Sequence, residues 1–123
     1  MTTAGVRLDE ADLSALEEVW QGDLKDTYRL YRRAADHLAA LAATLVERAV
    51  DLQQLGGEPA RPPELLLGDL CLARASRLLA ETRDQALQVG FARVVERTAA
   101  SAAGGFRSPP VRQQLLELLA TTA

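Results

Sequence analysis

One pattern constrains this chain more than any other. Leu24, Tyr28, Tyr31, Ala35, Leu38, Ala42, Leu45, Ala49 and Leu52 follow one another by alternating steps of four and three. On an α-helix that spacing is an a/d seam, sustained here for about four heptads, with every one of these side chains on one face. Leu30, Ala34, Leu41 and Val46 widen the stripe, so the helix is expected to pack against more than one neighbour. Asp23 is suited to cap its start and Gly56-Gly57 to end it, which predicts one helix over about 23–55. At ~1.5 Å per residue that helix is roughly 45 Å long, long for a chain of 123 residues.

The rest of the chain also reads as helix. Its apolar content is mostly Leu and Ala, with aromatics only 4%, and those two residues favour helix over sheet. Residues 1–8 read as a frayed lead-in. Asp9, with Asp12 in the first turn, suits the start of a helix to about Trp20, carrying Leu13, Leu16, Val19 and Trp20 on its apolar side. Gly22 is either a break or a weak point in a longer helix. Residues 56–63 form a loop rich in Gly and Pro, and Pro63 or Glu64 opens a helix to about Glu81. Thr82 to Asp84 reads as a break, with Asp84 capping a further helix that puts Leu87, Phe91, Val94 and Thr98 on one stripe. Gly104-Gly105 stops it, residues 104–109 link onward, and Pro110 opens a short helix with Leu115, Leu116, Leu118 and Leu119 on its apolar face. The expectation is one all-α domain over 1–123, a helical bundle of four to five helices.

Composition removes whole classes of function. Lys and Arg number 14 against 17 Asp and Glu, a net charge of −3, which leaves no basic surplus for a phosphate backbone, so no nucleic acid is expected. No stretch is long and apolar enough to span a membrane, and the start Met1-Thr2-Thr3-Ala4-Gly5-Val6 lacks the apolar core of a signal peptide, so the expected location is cytoplasmic. Cys71 is the one cysteine, which rules out an intrachain disulfide.

The catalytic inventory is thin. His37 is the one histidine, so a multi-histidine metal cage has no ligands, and beside Leu38 and Leu41 it reads as a surface or half-buried residue. Cys71 reads as a small core residue rather than a reactive thiol, since nothing near it in sequence lowers its pKa. Asp9/Asp12 and Asp23/Asp26 have the i, i+3 spacing that shares a helix face, yet both pairs sit where aspartate caps a helix start. Gly68-Asp69 is the odd feature. A glycine inside an apolar helix costs about 1 kcal/mol against alanine, and a carboxylate beside three leucines needs a partner. Close helix packing at Gly68 with an ion pair from Asp69 to Arg74 or Arg77 accounts for both; a ligand or subunit surface is the other reading.

That same stretch, Leu65-Leu66-Leu67-Gly68-Asp69-Leu70-Cys71-Leu72-Ala73-Arg74-Ala75-Ser76-Arg77-Leu78-Leu79-Ala80, resembles the GD-x-L-x-A-x-A-x-x-LLA helix of all-trans polyprenyl diphosphate synthases. In that family the helix follows the first aspartate-rich motif and lines the elongation cavity. The segment from Asp84 to Gly105 is similar in length and character to the family's next helix. Catalytic members carry two DDxxD-type motifs, and no Asp-Asp pair occurs in this chain. The chain looks instead like the short, non-catalytic subunit of the two-component hexaprenyl and heptaprenyl synthases.

The resemblance implies an accessory subunit that supports activity and product length in a catalytic, DDxxD-containing partner, with Mg²⁺ on that partner alone. Gly68, Asp69, Cys71, Leu72 and Ala75 are then the expected borders of the product cavity. Tyr28, Tyr31, Leu38, Leu45, Phe91, Leu115 and Leu119 are the expected partner interface. No catalytic residue and no metal ligand is expected in this chain, and no cofactor of its own. Two other readings stand beside it: a homodimeric helical scaffold or adaptor using the heptad seam, and a small enzyme holding Mg²⁺ on Asp23, Asp26 and Asp69.

Overall fold

A computed structural model describes residues 24–53, 61–104 and 108–122. Among these all regular structure is helical: α1 (Leu24–Arg32), α2 (His37–Gln53), α3 (Pro62–Thr82), α4 (Gln85–Gly104) and α5 (Val111–Thr122). The all-α class read from the sequence is the class observed. The expected lead-in, the helix from Asp9 to Trp20, Asp23 and most of the Gly/Pro loop lie outside the described residues, as do 105–107 of the linker.

The single helix expected over about 23–55 is two. Residues 33–36 turn the chain between α1 and α2. The Ala34 amide bonds the Tyr31 carbonyl at 2.9 Å, an i to i+3 contact that tightens the last turn of α1. Arg32 then donates to the Ala35 carbonyl at 3.0 Å. Asp36 starts α2 by accepting the Ala39 amide at 3.0 Å, the service expected of an aspartate N-cap. Folding back lets Leu24 and Tyr31 bury against the chain's own helices, where a straight rod roughly 45 Å long would leave its ends without cover.

Around α2 the other helices assemble. Every residue from Ala39 to Val46 is buried, so this part of the helix is covered on all sides, and its described neighbours are α1, α3 and α5. Alanine at 39, 40, 42 and 43 makes that possible, since a methyl group lets a neighbouring helix approach closely. Thr44 is fully buried too, and its hydroxyl donates back to the Ala40 carbonyl at 2.8 Å, which satisfies it.

One polar node ties three helices together. Tyr31 on α1 is fully buried and donates to Glu47 Oε1 of α2 at 2.6 Å. Arg112, in the first turn of α5, donates to both Glu47 oxygens, Nε at 3.0 Å and Nη2 at 2.8 Å, and reaches the Thr27 hydroxyl at 3.3 Å. Burial, with the Glu47 carboxylate beside it, holds the Tyr31 hydroxyl far above its ordinary pKa, so it stays a donor. Two donors on one carboxylate offset its desolvation.

The α3–α4 connection follows its sequence signals. Arg83 adopts a left-handed conformation (φ 57°) that ends α3, and Asp84 accepts the Leu87 amide at 3.0 Å to start α4. Gly90 of α4 lies against Leu118 of α5, whose side chain occupies the space a Cβ would need.

The node predicts a measurable loss. Tyr31→Phe should cost about 1–2 kcal/mol and Arg112→Ala about 1–3 kcal/mol in urea unfolding at neutral pH. The double variant should lose less than the two combined, because both bond one carboxylate. Unchanged midpoints in both single variants would show that the node does not hold the helices.

Candidate apolar cleft

The turn at Arg83-Asp84 brings α3 and α4 together at one end, where Gln88 Nε2 donates to the Leu79 carbonyl at 3.0 Å. Beyond it the two helices approach each other closely at few points. Between them opens a cleft of about 460 Å³ with Val46 of α2 as its floor. From α3 come Leu72, Ala75, Ser76 and Leu79, at the i, i+3, i+4, i+7 spacing of one helix face. The α4 wall is Phe91, Ala92 and Val95, with Gln88 and Glu96 among the lining polar groups. Leu65, Leu72 and Leu79 repeat every seven residues, so the same flank of α3 runs on to Leu65, which is 42% exposed. Leu66, beside it, is 71% exposed, the most open large apolar side chain among the described residues.

The expected cavity residues divide into two groups. Leu72 and Ala75 line the cleft. Cys71 faces the core, fully buried, and burial pushes its thiol up to about 11. Gly68 is a close-packing point: a Cβ there would come within 2.7 Å of the Gln53 side chain at the end of α2. Asp69 forms no ion pair with Arg74 or Arg77. It is exposed and accepts a hydrogen bond from Gln53 Nε2 at 3.0 Å. The carboxylate therefore needs no cation, because its side of the helix faces solvent and the end of α2.

The expected interface residues are mostly spent inside the chain. Tyr31, Leu45, Phe91, Leu115 and Leu119 all belong to its own core, each 2% exposed or less. Phe91 touches both environments, its ring closing the core and walling the cleft. Tyr28 and Leu38 are half-buried. The Tyr28 hydroxyl lies 2.8 Å from His37 Nδ1 with the rings edge to face, so the one histidine joins α1 to α2.

Several carboxylates among the described residues have structural work. Asp26 lies 3.5 Å from Arg29 on the exposed face of α1. Asp36 and Asp84, which border a smaller hollow of about 160 Å³, each cap a helix. No three of His, Cys, Asp and Glu come close enough among the described residues to hold a metal ion. The arrangement suits the binding of an apolar chain or helix.

Val95 adjoins the core stripe of α4 in the sequence pattern, with Ala102, and it carries the cleft wall; Ala92 beside it was missed, its signal a small residue where a solvent face usually carries charge. Val46 was legible as part of the widened seam, but its place as a floor depends on how far α3 and α4 splay.

The buried thiol makes a direct test of the core assignment. Iodoacetamide at pH 8 should modify Cys71 far more slowly in the native chain than in urea, because the thiolate is scarce and enclosed. Equal rates would place Cys71 on an accessible surface instead.

Comparison with protein-family models, with curated proteins and with solved structures finds no match to this chain. What bears on its function is the cleft, an apolar groove between α3 and α4.

Proposed function

We propose that this chain is the non-catalytic subunit of a heteromeric all-trans polyprenyl diphosphate synthase, one that lends an apolar wall to a catalytic partner. The observation that carries the reading is the position of the cleft. The stretch resembling the elongation-cavity helix of those synthases is α3, and its Leu72 and Ala75 line the groove. A hydrocarbon chain gains from such a surface by leaving water, at about 25 cal/mol per Å² buried. Exposed Leu65 continues the Leu72–Leu79 flank, and with Leu66 beside it offers apolar surface that suits a partner, as obligate interfaces do.

Diphosphate handling belongs to the partner in this reading. Mg²⁺ would neutralise the diphosphate there, held by clustered aspartates. Four of the described aspartates are otherwise engaged: Asp36 and Asp84 are helix caps, Asp26 lies against Arg29 and Asp69 bonds Gln53, and no three potential ligands among the described residues come close enough to hold a metal ion. The homodimeric adaptor draws less support, because a dimer through the heptad seam would have to uncover Tyr31 and Leu45, both wholly buried.

Mixing tests the reading. The chain and a DDxxD-containing synthase subunit from the same source should co-elute on size exclusion. Incorporation of labelled isopentenyl diphosphate onto a farnesyl primer should rise on mixing, or its product length should change. Val95→Asp, on the cleft wall, should cut that activation about tenfold, a loss near 1.4 kcal/mol, with helicity unchanged by circular dichroism. Separate elution together with an unaltered product distribution would sink the proposal.

A further inference from the structure

One side of α3 is turned away from the core and centres on Ala73. At about 100° per residue, Leu66, Asp69, Leu70, Ser76, Arg77 and Ala80 all fall within about 60° of it. Leu70 is half-buried and the rest of this face is exposed, Leu66 at 71%. Cys71, Ala75 and Leu78, on the opposite side, belong to the core. The two charges on the face lack partners of opposite sign. No carboxylate among the described residues pairs with Arg77, and Asp69 meets the neutral amide of Gln53. Their placement is symmetric. Asp69 and Arg77 lie four residues to either side of Ala73, and Leu66 and Ala80 lie seven.

We infer that a second copy of this chain covers this face, with α3 packed antiparallel against its counterpart about a two-fold axis near Ala73. Antiparallel helices crossing at one residue bring together positions equally far from it on opposite sides. Asp69 then meets Arg77 of the second copy, and the two-fold repeats the pair, so both charges gain the partner they lack in the single chain. Leu66 meets Ala80 of the second copy, a large side chain against a small one. An isologous contact requires a patch complementary to itself, and this one is so in both charge and size. Alanine at the crossing lets the axes approach to about 8 Å, the close end of helix packing. Such a dimer differs from one through the heptad seam, because Tyr31 and Leu45 stay buried. The Leu65, Leu72 and Leu79 flank lies about 80–120° around the helix from Ala73, so the cleft stays open to its own ligand. One helix pair makes a small interface, which calls for a reversible dimer.

Dilution and charge reversal test it. In sedimentation velocity the full chain should show a monomer–dimer equilibrium that shifts to monomer on dilution. Ala73→Arg should raise the dimer dissociation constant about tenfold or more, with circular dichroism unchanged, since the position is exposed in the single chain. Asp69→Arg and Arg77→Asp, each alone, set like charges against one another and should raise it about tenfold, most at low salt. Both changes together restore the pair and should bring the constant back near its starting value, which tests the antiparallel register itself. A chain still monomeric at about 1 mM would overturn the inference. So would a dimer that Ala73→Arg leaves intact, or charge reversals that do not compensate. A monomer whose co-elution with the synthase subunit is lost in Ala73→Arg would assign the face to that subunit instead. Self-association and activation of the synthase subunit are separate readouts, the first sensitive to Ala73→Arg and the second to Val95→Asp, so the two proposals fail separately.

Discussion

Enclosure of α2 from Ala39 to Val46 is the constraint from which the rest of the fold follows. A helix buried on every side must be covered by several neighbours, and its run of alanines sets how near they come. Once α1, α3 and α5 have taken their places around it, α4 closes the assembly through α5 on one side and through the Arg83-Asp84 turn on the other. The Glu47 carboxylate fixes the α1 and α5 contacts by direction, because hydrogen bonds to it from Tyr31 and Arg112 have preferred angles where apolar packing has none. Hydrophobic burial makes the bundle compact, and this node selects one arrangement of it.

Much of that plan was legible in the residues. The widened seam announced a helix with more than one neighbour, Asp84 announced the start of α4, and Leu115 and Leu119 announced a short helix that must dock. The division of the long helix was not legible, because a heptad count passes through a turn of four residues without registering it. Asp36 was the available sign: an aspartate inside an apolar repeat, three residues before Ala39, in the position of a cap. Asp69 misled for a related reason. Its apolar neighbours in sequence suggested a buried charge, but Leu65 and Leu66, one turn before it on the same side of the helix, are themselves exposed, and Asp69 faces solvent.

The candidate site was half readable. Leu72 and Ala75 emerged from the part of the resemblance that falls on α3, while the opposing wall depends on the angle between α3 and α4, which no local pattern encodes. Hydrophobic residues likewise could not declare whether they would be spent inside the chain or offered outside it. Tyr31, Leu45, Phe91, Leu115 and Leu119 look in sequence like any exposed seam, and packing assigned them to the core. What remains for binding is the less obvious set, small or half-covered, that the core did not consume.

Gly90 gives the position of α4 a particular origin. It lies against Leu118 with no room for a side chain, and Ala92, two residues on, sits about 200° around the helix at 3.6 residues per turn. One surface of α4 is therefore pressed flush to α5 while the opposite surface walls the groove. A glycine thus works as a shim of zero thickness: the gap on the far side is as wide as it is because nothing is wedged in on this one.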